Sequence, residues 1–263
     1  MMPRHAKLAE IAARTALAVG EAIDIERIDI VNRKGGKANF ATAADHVAQA
    51  AIIARLRDHD PSIPVLAEEG PARKGRTPER LWVVDPIDGT LNFSRAIPFY
   101  CVSIGYIEDG RARAGAIHAP RTNETFMAYE GGGARLNGLA IGVSKVRRTA
   151  QAFAVTTPSR FALLNKHCAR LRTLGSAALE IAYVAAGRLD LFVHGALGPW
   201  DIAAGGVIAR EAGASVVSLV TGEDAAWDER QVIVGPPALV RDALRTMPDL
   251  LRPAAPVKRA RAS

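Results

Sequence analysis

Cysteine is scarce, with only Cys101 and Cys168 in a chain of 263 residues. Two cysteines build neither a disulfide framework nor a metal quartet, so both read as small core residues of a reducing compartment. Aromatic residues make up 5% of the chain, too few for the stacking platforms that hold single-stranded nucleic acid. No stretch approaches 18 uncharged apolar residues, the minimum for a helix that spans a membrane. The early apolar run from Ile11 to Gly20 is interrupted by Arg14 and Thr15 and bracketed by Glu10 and Glu21, unlike the core of a secretory signal. A cytoplasmic location is therefore expected, with Asn123-Glu124-Thr125 only a formal glycosylation match. Repeats and low-complexity linkers are missing as well. Residues Leu251 to Ser263 lack any acid but carry Arg252, Lys258, Arg259 and Arg261, so the net charge of +7 drops to +3 without them. Such a balance suits anionic small molecules and does not demand nucleic acid or a membrane surface. The basic tail, 251–263, reads as solvated, disordered chain.

What is present fits a globular protein: 49% hydrophobic and 23% charged residues. Length alone, at about 150 residues per domain, leaves one or two units open. Leu8, Ile11, Ala12, Ala16 and Val19 form one stripe of an amphipathic helix. An extended piece (Ile28 to Val31) and a flexible turn, Lys34-Gly35-Gly36-Lys37, lead to a second helix that begins near Asp45 and buries Ala48, Ile52 and Leu56. Val65 to Ala67 and Leu81 to Val84 read as buried strands, each followed at once by a carboxylate. From Phe99 to Tyr129 the pattern is an antiparallel meander with turns at Asp109-Gly110 and Arg121 to Asn123, ended by Gly131-Gly132-Gly133. Beyond it, strands are expected near Phe153 to Thr156, Arg170 to Thr173, Leu189 to Val193, Ser215 to Leu219 and Gln231 to Val234. Helices are expected from about Ser159, over Ala177 to Ala186, over Asp201 to Ala212, and from Pro237. Strands and helices alternate in blocks, which predicts a layered α/β fold with mixed sheets.

The chemistry concentrates in Trp82-Val83-Val84-Asp85-Pro86-Ile87-Asp88-Gly89-Thr90. A buried strand delivers Asp85 to its end, and Asp88 follows three residues later, so both carboxylates can converge on one point. Two acids so close need a cation, and a hard divalent ion such as Mg²⁺ takes oxygen ligands. A carboxylate shared by two such ions is the basis of two-metal phosphoryl chemistry. Gly89 and Thr90 would offer backbone N–H groups to a phosphate. Taken alone, Asp-x-x-Asp-Gly reads first as a turn signal, because Asp-Gly pairs mark turns. Asp201 and Asp45, each at a helix start, read as either caps or ligands, and Glu68-Glu69 closes the strand Val65 to Ala67.

Together these motifs are specific. Asp85-Pro86-Ile87-Asp88-Gly89-Thr90, preceded by Ala67-Glu68-Glu69-Gly70 and followed by Trp200-Asp201-Ile202-Ala203-Ala204-Gly205, resembles the inositol monophosphatase family in order and spacing. Lys34 with Thr42-Ala43-Ala44-Asp45 resembles the family's substrate-loop segment, and Gly175-Ser176-Ala177-Ala178 its sugar-side loop. The resemblance implies an αβαβα sandwich. An N-terminal part (1–140) would carry most metal ligands and a C-terminal part (141–250) would close the active site. It implies two to three Mg²⁺ ions: Glu68, Asp85 and the Ile87 carbonyl on one, Asp85, Asp88 and Asp201 on a second, and Glu68, through waters, on a looser third. Thr90 paired with Asp45 would activate the attacking water. The phosphate would rest on the N–H groups of Gly89 and Thr90, and Gly175, Ser176 and Ala177 would meet the alcohol. The resemblance further implies lithium sensitivity and a homodimer.

Inositol-hydrolysing members place a glutamate seven residues before the last metal-binding aspartate; here that position is His194. The segment from Thr157 to Leu171 is shorter than usual, and Ala67 replaces a glycine. The expected activity is Mg²⁺-dependent hydrolysis of a small phosphate monoester, first inositol 1-phosphate or a related sugar phosphate. Histidinol phosphate, fructose 1,6-bisphosphate and 3′-phosphoadenosine 5′-phosphate stay open. A regulatory protein acting through RNA or the transcription machinery is the alternative from another class.

Overall fold

The structure is a computed structural model that describes residues 2–23, 30–33, 40–71 and 75–251. Helices α1 (Arg4–Ala22) and α2 (Ala43–His59) flank a short antiparallel pair, β1 (Ile30–Arg33) and β2 (Phe40–Thr42). Then come β3 (Val65–Ala67), β4 (Arg80–Asp88), a single helical turn α3 (Thr90–Ser94), and the meander β5 (Cys101–Glu108), β6 (Arg111–Ala119), β7 (Glu124–Tyr129), β8 (Ala134–Leu136) and β9 (Leu139–Ala140). These seven strands form one sheet in the order β3-β4-β5-β6-β7-β8-β9, with only the β3–β4 pair parallel.

The remainder alternates: β10 (Phe153–Thr156), α4 (Pro158–Leu164), β11 (Arg170–Arg172), α5 (Ala177–Ala185), β12 (Leu191–His194), α6 (Pro199–Glu211), β13 (Ser215–Ser218), β14 (Val232–Gly235) and α7 (Pro237–Thr246). Its strands form a mixed sheet in the order β11-β10-β12-β14-β13.

Period-two alternation assigns each face of the second sheet to a different core. Val155, Phe192, Val232 and Val234 point to α5 and α6, whereas Ala154, Leu191, Val193 and Ile233 point to α7 and Leu164 of α4. In the first sheet Trp82 and Val84 meet α1 and α2, while Leu81 and Val83 meet Ala203 of α6. The result is five layers, α1/α2, sheet, α5/α6, sheet, α4/α7, which is the layered sandwich the sequence predicts. Among the described residues no helix is long and apolar enough to cross a membrane.

Several elements differ from the sequence reading. The strand over Leu81 to Val84 runs on to Asp88, so its acids lie within the strand end. Proline lacks an N–H for a central ladder, and the register of β4 against β5 breaks between Asp85 and Asp88, where Pro86 sits. The meander extends past the glycine run into β8 and β9, and β2 was not expected. The strand expected at Leu189 begins at Leu191 and includes His194. Cys101 is buried, but Cys168 is only half-buried. Lys34 and residues 252–263 lie outside the described residues.

Candidate metal centre and active site

Side-chain parity along β4 puts Asp85 on the same face as Leu81 and Val83, toward α6. Asp201 is the third residue of α6, and its Oδ2 accepts the Gly198 N–H at 2.7 Å across the helix start. Past the register break, Asp88 points at the start of α5. Its Oδ2 accepts Ser176 Oγ at 2.6 Å and the Ala178 N–H at 2.7 Å, and its Oδ1 accepts the Ala177 N–H at 3.2 Å. One carboxylate oxygen from each of Asp85, Asp88 and Asp201 lies within 4.8 Å of the others.

Asp85 is 1% exposed and Asp88 7%. No Lys or Arg among the described residues pairs with Asp85, Asp88 or Asp201. The electrostatic consequence is large. Burial, then repulsion from Glu68, Asp88, Asp201 and Asp45, drives the Asp85 carboxyl well above the usual range. Burial and the charge of Asp88 do the same to Asp201 against the opposing Gly198 N–H. Burial also raises Asp88, although Ser176 and the α5 N–H groups pull the other way. Convergent, largely buried oxygens without a side-chain cation among the described residues are the donor set of a hard divalent ion, which would remove the repulsion. The residues present therefore fit Mg²⁺.

Glu68 follows β3 directly, its N–H bonded to the Val84 carbonyl at 3.2 Å, and its charge reaches both Asp85 and Asp201. Thr90 opens α3 after Gly89, whose φ of 94° suits only glycine without strain. The Thr90 hydroxyl lies 3.0 Å from the Ile87 carbonyl and 3.2 Å from Oδ1 of Asp45, which is fully buried in the first turn of α2. Ile87 donates its N–H to Asp85 Oδ1 at 3.0 Å, which orients that carboxylate.

Beside the acids opens a cleft of about 260 Å³ whose lining includes Asp88, Asp201, Thr156, Ser176, Glu180 and His194. Ser176 is buried at 1% exposure with its hydroxyl on Asp88, so it shapes the metal side of this cleft rather than its open mouth. Two further residues organise the loop before it. Asn92 donates to the carbonyls of Phe99 and Leu174, both at 2.7 Å. Glu180 accepts the N–H groups of Leu174 at 2.8 Å and Gly175 at 3.1 Å, and burial lifts its carboxyl to about 7. Neither stands out in the sequence: Asn92 reaches Leu174 from 82 residues away, and the Glu180 partners, though only five and six residues before it, are backbone N–H groups that no side-chain pattern marks. His194 ends β12 and also lines this cleft, with its ring stacked on Phe192.

Residues 5–249 match the family described as "Inositol monophosphatase family". The chain belongs to the inositol monophosphatase family, a family of phosphatases. It is 42% identical over 205 residues to a protein of Thermotoga maritima named "Fructose-1,6-bisphosphatase/inositol-1-monophosphatase", covering 76% of this chain and 78% of that one. It is 36% identical over 256 residues to "Nus factor SuhB" of Escherichia coli K12, covering 92% and 96%. Among solved structures, an inositol monophosphatase of Thermotoga maritima superposes with a TM-score of 0.86 at 34% identity, over 95% of this chain and all of that one. The inositol monophosphatase of Anabaena (Nostoc) sp. PCC 7120 gives 0.81 at 29% identity, over 94% and 97%. The family match, over residues 5–249, runs from α1 past the end of α7.

Proposed function

We propose that this family member is a Mg²⁺-dependent phosphatase of small phosphate monoesters, with inositol 1-phosphate or a related sugar phosphate as the first substrate to test. The observation that carries the reading is the set of three carboxylate oxygens within 4.8 Å, held without a side-chain cation among the described residues. A fold gains nothing from such repulsion unless a cation is part of its working state.

In this reading Glu68, Asp85, the Ile87 carbonyl, Asp88 and Asp201 hold two to three Mg²⁺ ions. Bound there, Mg²⁺ would polarise the phosphate, lower the pKa of water and offset charge on the leaving alkoxide. Thr90 orients the attacking water: its O–H donates to Asp45 or Ile87, which leaves its lone pairs to accept the water's hydrogen. The proton passes through Thr90 to Asp45 as the new O–P bond forms and the ester O–P bond breaks in line, without a phosphoenzyme, and the leaving oxygen takes its proton from solvent water to depart as the alcohol. The N–H groups of Gly89 and Thr90 hold the phosphate, and Gly175, Ala177 and His194 border the alcohol. Residues 1–140 thus supply most ligands and 141–250 complete the site. Lithium sensitivity, a homodimer and a cytoplasmic location belong to the same proposal.

A binding-only role is the second reading, favoured by the name of the SuhB relatives and by one feature of the chain. Between Glu130 and Glu180 there is no acid, while Arg135, Lys145, Arg147, Arg148, Arg160, Lys166, Arg170 and Arg172 all fall there. Against it, a binding surface has no use for buried acids or the Thr90–Asp45 pair. Phosphate release from inositol 1-phosphate, histidinol phosphate, fructose 1,6-bisphosphate and 3′-phosphoadenosine 5′-phosphate decides between them. Mg²⁺-dependent release is expected, with Asp85→Asn lowering it by about 10³-fold or more, on the order of 4 kcal/mol of transition-state stabilisation. No release from any substrate, together with steeply salt-dependent RNA affinity, would put the binding role first.

A further inference from the structure

One residue lining the cleft, His194, differs in electrostatic character from the acids beside it. His194 Nδ1 accepts the Ala196 N–H at 3.1 Å, which makes Nε2 the protonated ring nitrogen and hence a donor. The ring is held parallel to Phe192, with centroids 5.7 Å apart and an interplanar angle of 12°. Behind this wall lies Arg160 of α4, 5% exposed. Its guanidinium donates to the Leu250 carbonyl at 3.2 Å and to Gln231 Oε1 at 3.1 Å. Its Nε has no partner, and no acid among the described residues pairs with it. That Nε faces the backbone just after His194, 3.1 Å from where a Cβ on Gly195 would stand. Burial, and then the charge of Arg160, hold the imidazole down at about 4, so it stays neutral at physiological pH.

The cleft is therefore lined both by acids and by an N–H donor, the latter backed by a buried cation that no acid among the described residues pairs with. A hydroxyl can accept from Nε2–H only as a neutral acceptor, and its own proton finds no acceptor on an imidazole whose Nδ1 is already occupied. An anionic acceptor satisfies the donor and lies favourably in the field of the guanidinium. We propose that His194, fixed as an Nε2–H donor and backed by Arg160, selects phosphate monoesters whose alcohol half carries an anionic acceptor, a carboxylate or a second phosphate, over those bearing hydroxyls alone. The inference rests on the phosphatase reading and revises its alcohol half: among the substrates named above it ranks fructose 1,6-bisphosphate and 3′-phosphoadenosine 5′-phosphate, each with a second phosphate, ahead of inositol 1-phosphate.

A matched pair of probes tests it. Glycerol 2-phosphate and 2-phosphoglycerate differ only in a hydroxymethyl group against a carboxylate. The wild-type protein should show a kcat/KM for 2-phosphoglycerate about 10-fold or more above that for glycerol 2-phosphate, the worth of one charge-assisted hydrogen bond. His194→Glu should invert the preference, His194→Ala should bring the ratio near one, and His194→Gln, which restores an N–H donor at similar size, should keep part of it. A wild-type preference for glycerol 2-phosphate, or a ratio unmoved by both His194→Glu and His194→Ala, overturns the selection while leaving the phosphatase reading in place. Hydrolysis of neither probe nor any other monoester with Mg²⁺ overturns both.

Discussion

Asp88, a ligand in the proposed site, is held by residues that would not themselves touch an ion. Ser176 Oγ and two N–H groups at the start of α5 fix its carboxylate and oppose the rise that burial imposes on it. Partners of this kind around metal ligands carry about 10 to 100-fold in affinity. Ser176→Ala is therefore expected to weaken Mg²⁺ binding by about 10-fold in calorimetric titration, with the far-ultraviolet circular dichroism unchanged; unaltered affinity would show the bond to be idle. The acids themselves were legible in the sequence, because Asp85 and Asp88 lie three residues apart and their motif is local. Ser176 and Asn92 were not legible in these roles: Ser176 meets Asp88 from 88 residues away, and Asn92 meets Leu174 from 82. Only the folded backbone brings such pairs together.

At the scale of elements, the site depends on how closely α6 settles on the first sheet. Gly105 of β5 and Gly115 of β6 form its floor. A Cβ at Gly105 would stand 2.8 Å from the Ala203 Cβ, and one at Gly115 2.8 Å from the Ala204 Cα. Real Cβ atoms do not approach so near, so Gly105→Ala must lift the helix that carries Asp201. The cost of such overpacking is about 1–3 kcal/mol. A lower denaturation midpoint together with lost Mg²⁺ affinity is expected for Gly105→Ala; native stability and affinity would show that α6 can shift without consequence. Element identity was mostly readable, since helix stripes and strand runs follow local periodicity. Strand extent was less so: Pro86 and the glycine run at 131–133 are breakers by composition, yet a register break and cross-strand pairing carry the sheet past both.

For the molecule as a whole, the acid cluster makes stability a function of pH and metal. Asp85, Asp88 and Asp201 titrate higher folded than their ordinary value of 3.8. Without metal the folded state therefore binds more protons than the unfolded chain between that value and the folded ones, and this contribution to stability falls as pH rises through the window. Glu180, lifted from 4.5 to about 7, acts in the same direction between those values. Glu108, Glu124 and Asp242, held low by hydrogen bonds and cationic partners, act in the opposite direction: the stability they contribute is lost as pH falls through their lowered values. A bound divalent ion removes the penalty of the cluster by favouring the ionised form.

Thermal melting near pH 7.5, with chelator and with saturating Mg²⁺, on the wild-type protein and Asp85→Asn, tests this account most directly. Mg²⁺ at a hundredfold excess over its Kd stabilises by about 2.7 kcal/mol. At roughly 2–4 °C per kcal/mol for a chain of this size, the wild-type Tm should rise by about 5–10 °C. Asp85→Asn in chelator should melt at or above the wild-type temperature, because one repelling charge is gone, and should gain little from Mg²⁺. A wild-type Tm indifferent to saturating Mg²⁺, with Asp85→Asn destabilised in chelator, would mean that these buried carboxylates serve the fold and hold no ion.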